Sequence, residues 1–152
     1  MNIHTAVVDI KDREILKEDA VRFIFKNSNG AEAFFIGRVR NENDQKKVNA
    51  VTYDTHDQAV KKSFQQICNS AISKFDKNAK IFLEHAKGYV PVGKISILIA
   101  VGSGHREEAF KICRYVLEEV KHQSPIWKKE HYVEGTAEWL AGHSLRPKKE
   151  IK

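Results

Sequence analysis

The sequence predicts an α+β domain in which a mostly antiparallel sheet carries two long packed helices. Three observations support this. Residues 57–75 and about 105–122 repeat apolar side chains at helical spacing. The runs around them are rich in β-branched and aromatic residues and are joined by short turns, as antiparallel neighbours are. A chain of 152 residues with 41% hydrophobic content can bury one ordinary core but not two. The expected organisation is one domain over residues 1–145, followed by a basic tail at 146–152.

His4 to Ile10 opens the chain as a strand, and Asp12 is the expected cap of a helix over about residues 13–26, with Ile15, Leu16, Val21, Phe23, Ile24 and Phe25 as its apolar content. Asn27 to Gly30 is a turn. Ala31 to Arg40 is an aromatic strand ending in charge. A polar loop from Asn41 to Lys47 separates it from a strand running from Val48 to about His56.

Val60, Phe64, Ile67, Cys68, Ala71, Ile72 and Phe75 then mark the first long helix. Ala79–Lys87 and Lys94–Ser103 read as a strand pair joined by a hairpin over Gly88–Gly93. The second of the pair is apolar on both faces and belongs inside a sheet. Gly102-Ser103-Gly104 leads into the second long helix, whose inward residues are expected to be Ala109, Phe110, Ile112, Cys113, Val116, Leu117 and Val120. Pro125 stops that helix, and Ile126 to Val133 forms the last strand.

Charge narrows the function classes. The sequence holds 26 Lys+Arg against 20 Asp+Glu, a net charge of +6, which suggests polyanions as partners. Residues 146–152 supply four basic and one acidic side chain, so half of the excess lies in the tail. No stretch approaches the roughly 20 apolar residues that span a bilayer. The N-terminus lacks the basic region and apolar run of a signal peptide, so no membrane association and a cytoplasmic location are expected. Cys68 and Cys113 fall on apolar helix faces as small hydrophobes. Without further Cys or His at ligand spacing they make no zinc site, and no metal or cofactor is expected.

Chemistry concentrates late in the chain. A strand that ends at Gly102-Ser103-Gly104 and turns into a helix directs unpaired N–H groups at one spot, suited to a phosphate or carboxylate. His105 and Arg106 stand on that first turn against local preference, since cations are unfavourable there. Lys121 lies fifteen residues further along the same helix, on the side of Phe110, Arg114 and Leu117. An amine shielded by apolar neighbours and other cations has a lowered pKa and serves acid, base or nucleophilic chemistry. Period-two alternation puts one of Lys128 and Lys129 toward the protein body. Arg40 reads as a phosphate fork or as a solvated strand end, and His85 reads as a satisfied core histidine.

These residues carry a resemblance. The run His105-Arg106-Glu107-Glu108-Ala109-Phe110, then Lys121 and Pro125-Ile126-Trp127-Lys128-Lys129-Glu130, with Phe35-Ile36-Gly37-Arg38-Val39-Arg40-Asn41 upstream, resembles the large catalytic subunits of molybdopterin synthases over about residues 30–140. The resemblance implies an α/β-hammerhead subunit that forms a homodimer. A small ubiquitin-like sulfur carrier on each subunit completes a heterotetramer. The carrier's C-terminal Gly-Gly thiocarboxylate would donate sulfur in two rounds to cyclic pyranopterin monophosphate, giving the dithiolene of molybdopterin. Lys121 and Lys128 would then be catalytic. Arg40, His105, Arg106 and Lys129 would bind substrate, partly across the dimer interface, and Phe35 would line the pocket. Lys121 would act at the reacting carbon and the carrier carbonyl, and Lys128 would orient the substrate and stabilise developing negative charge.

Some positions depart from the family pattern. The loop Asn43–Lys47 has no glycine, Ala86 follows His85 where an arginine is usual, and the Gly135–Trp139 spacing is one residue longer than the family's. A tail arginine reaching a partner's site would correspond to Arg146.

Two other classes compete. Gly102-Ser103-Gly104 resembles the pyrophosphate turn of a coenzyme-A-dependent acyltransferase, although that reading gives Lys121 and Lys128 no purpose. A small nucleic-acid-binding module would cluster its cations, whereas residues 105–131 hold six basic and five acidic side chains. The expectation is therefore an enzyme with no nucleic-acid partner. A non-catalytic carrier-binding subunit is disfavoured by the presence of both lysines.

Overall fold

A computed structural model describes residues 1–135 and 137–140. In chain order the elements are β1 (Ile3–Asp9), α1 (Lys17–Ile24), β2 (Ala31–Arg38), β3 (Glu42–Asn43), β4 (Lys46–Thr55), α2 (Asp57–Phe75), β5 (Lys80–Pro91), β6 (Ile95–Ser103), α3 (Arg106–Gln123), β7 (Ile126–Tyr132) and β8 (Ala137–Trp139). The sheet runs β2-β6-β5-β4-β7-β8, with β1 beside β5 and β3 beside β4. Among the described residues only the β1–β5 pairing is parallel. The α+β, mostly antiparallel architecture with two long helices is as expected. The tail at 146–152, Arg146 included, lies outside the described residues. No described helix is long and apolar enough to cross a membrane.

Alternation along β6 fixes the layers. Ser103 meets Asp76 at the end of α2, while a Cβ on Gly102 would lie 2.7 Å from the Ile24 carbonyl at the end of α1. Successive side chains point to opposite faces, so α1 covers one face and α2 with α3 the other. Both faces of β6 are therefore buried, as its apolar run requires. Gly102 is thus a packing glycine, required by close approach of the α1 backbone.

β5 changes partners midway. Ile81–Lys87 pair with β1 and Gly88–Pro91 with β4, and the chain bends between them at Gly88, whose φ of +100° suits glycine. The expected hairpin over Gly88–Gly93 is correspondingly shorter, since β5 continues to Pro91 and the turn closes through Gly93 (φ +87°).

Other expectations also change. Asp12 does not cap α1, which begins only at Lys17. The Asp12 and Arg13 amides instead donate back to the Asp9 carbonyl at 2.9 and 3.3 Å. Arg13 reaches Glu84 at 2.8 and 3.1 Å. Glu84 is 2% exposed and also meets His4 Nε2 at 2.7 Å. A buried carboxylate is costly unless paired, and this pairing holds Arg13 outside any helix. The loop Asn41–Lys47 is a tight hairpin, β3 against β4, with Asp44 and Gln45 at φ +49° and +66°, the arrangement of a type I′ turn. Phe110, expected inward, is 67% exposed, because the buried stripe of α3 runs through Ala109, Ile112, Cys113, Val116 and Val120 and Phe110 lies off it.

Candidate active site

The turn before α3 already holds an anion. Asp76, the C-cap of α2, accepts hydrogen bonds from Ser103 Oγ and from the backbone N–H groups of Asn78 and Gly104. Burial pushes its carboxyl up, but these bonds, with Lys26 nearby, outweigh that and hold it below the usual range. The Gly102-Ser103-Gly104 turn is thus neutralised from within the chain, and Gly102 is explained by packing. The pyrophosphate reading of this turn loses both of its supports.

Replacing Asp76 by Ala should destabilise the fold by about 1–2 kcal/mol at neutral pH, because the Ser103 hydroxyl and the Asn78 and Gly104 N–H groups lose their acceptor. Because the folded-state pKa is lowered, the wild-type advantage is fully present above the unfolded value and disappears as pH falls through the folded one. Urea denaturation of both proteins across that range should show the two stabilities converging in acid.

The other end of α3 gathers the cations. The chain leaves α3 by a short turn in which Ser124 N–H donates to Val120 O at 3.1 Å and Ile126 N–H to Ser124 O at 2.9 Å. The last helical turn, with Lys121, therefore adjoins the start of β7. On β7 the buried Ile126, Glu130 and Tyr132 alternate with Trp127, Lys129 and His131, so Lys128 shares the inward face and is half-buried. Opposite it in register stands Tyr53, whose ring meets His85 edge-on at 5.0 Å. His85 is 1% exposed and shares a 2.8 Å hydrogen bond with the Ala86 carbonyl, and burial pushes its pKa down to about 4. It is a satisfied core histidine, as expected.

Lys128 is perturbed as well. Burial lowers its pKa, Glu130 opposes that, and the charges of Lys121 and Arg40 lower it further. Arg40 follows the buried Val39 just past the end of β2 and is exposed. Phe35 faces Ile99 in register and so lies on the α2/α3 face. Its ring passes over Gly37, where a Cβ would come within 3.4 Å of it. Arg40, Lys121 and Lys128 therefore share one electrostatic neighbourhood, with Phe35 on the same side of the sheet.

The remaining expected site residues lie elsewhere in this chain. His105 and Arg106 are exposed at the far end of α3, Arg106 fifteen residues and so roughly 22 Å from Lys121 along the helix. Lys129 faces away from Lys128, with its Nζ 5.3 Å from the centre of the Trp139 ring.

Other residues join the cluster without having been singled out. Glu130, 5% exposed, accepts from Tyr132 Oη at 3.0 Å and from Asn43 Nδ2 at 2.9 Å, and Lys46 lies over the Tyr132 ring at 4.9 Å. The period-two signal was present, because Lys128, Glu130 and Tyr132 are alternate residues of one strand.

Comparison with known proteins identifies the family of the fold. The family described as MoaE protein matches residues 10–123, a span that holds Phe35, Arg40, His105, Arg106 and Lys121. The chain is 39% identical over 126 residues to the molybdopterin synthase catalytic subunit of Synechococcus elongatus, covering 83% of this chain and 76% of that protein. To the subunit of the same name from Pyrococcus abyssi it is 34% identical over 132 residues, covering 87% and 88%. A solved structure of molybdopterin synthase from Staphylococcus aureus superposes with a TM-score of 0.80 at 28% identity, over 93% of this chain and 96% of that one. A chain from the complex of subunits 1 and 2 of the Helicobacter pylori molybdopterin-converting factor shares the fold, with a TM-score of 0.69 at 23% identity over 95% and 93%. By family match and by close relatives over most of its length, the chain belongs to the MoaE protein family.

Proposed function

We propose that this chain is the catalytic subunit of a molybdopterin synthase, moving sulfur from the thiocarboxylated C-terminus of a small carrier protein to cyclic pyranopterin monophosphate. The observation that carries this reading is the half-buried Lys128, its pKa lowered first by burial and then by the charges of Lys121 and Arg40. Thiocarboxylate and cyclic phosphate are both anions, and a group of basic side chains built around the half-buried Lys128 attracts both.

Opening the phosphate ring and losing oxygen at the pterin carbons require groups that take and give protons. Lys128, whose surroundings shift its pKa downward, suits that exchange. We therefore give proton transfer to Lys128, beyond the orienting and charge-stabilising part expected of it from the sequence. Lys121 keeps its part at the reacting carbon and the carrier carbonyl. Arg40 binds the phosphate through its fork of N–H donors, and Phe35 forms an apolar wall.

His105 and Arg106 lie too far along α3 to join this group within one chain. In a symmetric homodimer a second copy supplies them, which makes each site a shared one. One carrier on each subunit then gives the heterotetramer. A cytoplasmic location goes with this reading, supported by the buried, free thiols of Cys68 and Cys113.

The test is turnover with purified thiocarboxylated carrier and cyclic pyranopterin monophosphate, scored as dithiolene formed. Product at a rate that follows carrier concentration is expected. Carrier binding without product would remove the assignment as an enzyme.

A further inference from the structure

We propose that Asn43 is a positioning residue for Arg40, its amide linking the buried Glu130 carboxylate to the arginine so that the β3–β4 hairpin holds the phosphate-binding group in place. The inference rests on the reading of Arg40 as the phosphate site.

Arg40 has little else to fix it. β2 ends at Arg38, whose own guanidinium donates to the Gly93 carbonyl at 2.7 Å. Val39 is the last buried residue before the chain turns outward. A long exposed side chain in that position samples many rotamers, and ordering it on binding costs conformational entropy.

Asn43 meets it from the hairpin. An ionised carboxylate only accepts hydrogen bonds, so the amide nitrogen must be the atom facing Glu130, at 2.9 Å. That leaves Oδ1 turned toward Arg40, with Nη2 at 3.5 Å. The orientation of the amide therefore follows from chemistry. The contact to Arg40 is long, so it steers the guanidinium while leaving its other N–H groups for a ligand.

The anchor behind Asn43 is firm. Glu130 is 5% exposed, and its second oxygen is held by Tyr132 Oη at 3.0 Å. The hairpin backbone is fixed by the Asn43–Lys46 pairing and by Val48 N–H donating to Asn41 O at 2.9 Å. In front lies an open cleft of about 600 Å³ lined by Arg40, Asn41, Glu42, Asn43 and Asp44. Two of these are carboxylates that repel a phosphate, with Glu42 offset by Lys47 at 3.4 Å. Within this cleft only a guanidinium held in the right place makes an anion welcome, which is why its positioning matters.

The test uses the complete complex with thiocarboxylated carrier, varying cyclic pyranopterin monophosphate. Asn43→Ala should raise KM about threefold with kcat nearly unchanged, because the guanidinium loses its steering contact and must be ordered on binding. Asn43→Asp should not restore the wild-type KM, because its second oxygen would face Glu130. In an Arg40→Ala background, Asn43→Ala should add nothing further. An unchanged KM in Asn43→Ala, an additive effect in the double variant, or a KM increase matched by a lower melting temperature would overturn the role of Asn43. If Arg40→Ala alone leaves KM at the wild-type value, the phosphate reading of Arg40 fails, and the role of Asn43 with it.

Discussion

Lys121→Ala should lose dithiolene formation almost entirely, with kcat falling by about 10²- to 10³-fold, the scale seen when a charge-stabilising donor is removed from an active site. Dimer formation and carrier binding should persist, because Lys121 sits in the last turn of α3 outside the buried stripe of Ala109, Ile112, Cys113, Val116 and Val120. Two effects combine in the loss. The ammonium at the reacting carbon disappears, and so does one of the charges that lowers the pKa of Lys128. Analytical ultracentrifugation and carrier titration check assembly, and single-turnover assays check chemistry. Near-normal turnover would remove Lys121 from the mechanism.

The same variant tests whether the site is shared. Arg106 and Lys121 lie at opposite ends of one helix, so a shared site draws them from different copies. Mixing inactive Lys121→Ala with inactive Arg106→Ala under exchange conditions should then recover about a quarter of wild-type activity, since half the dimers are mixed and each has one intact site. No recovery would overturn the shared site.

What the sequence revealed of the fold depended on the range over which each element is determined. α2 is set by its own periodicity, and its expected start at Asp57 and apolar face are those observed. α1 is not, because Arg13 is claimed by a carboxylate 71 residues away, and no local pattern announces that. The Asn41–Lys47 hairpin was hidden for a different reason. Asp44 and Gln45 adopt positive φ without the glycine that normally signals it. Gly88 was visible as a turn residue, yet it bends a continuing strand, since the need for it arises where β1 gives way to β4.

The site was legible in a similarly uneven way. Lysines 121 and 128 stood out through a motif resemblance, and alternation alone implied that one of Lys128 and Lys129 turns inward. Glycines 102 and 104 suggested an external phosphate, but in the fold Asp76 supplies the anion and α1 explains Gly102. Glu130, within the quoted motif, received no role because a carboxylate among cations reads as a solvated partner until burial is known. Asn43 could not have been found, since its value depends on a hairpin that sequence pattern did not show.

Lys128 offers the sharpest chemical test, because two explanations of its importance make opposite predictions for Lys128→Arg. A fixed cation would survive the exchange, since arginine keeps its charge throughout the accessible range. A proton-transfer group would not, and kcat should fall by about 10²- to 10⁴-fold with a smaller change in KM. The pH profile supplies the sign. If the neutral amine takes the proton, kcat rises with pH through the pKa of Lys128. Glu130→Gln removes a carboxylate that raises that pKa, so the rising limb should move to lower pH. Arg40→Gln removes a cation that lowers it, so at saturating substrate the limb should move to higher pH. Opposite shifts from two neighbours on either side of one amine are a signature that general loss of structure does not produce. Lys128→Arg with most of its activity, and a limb indifferent to both substitutions, would return Lys128 to an orienting charge and leave proton transfer to another group.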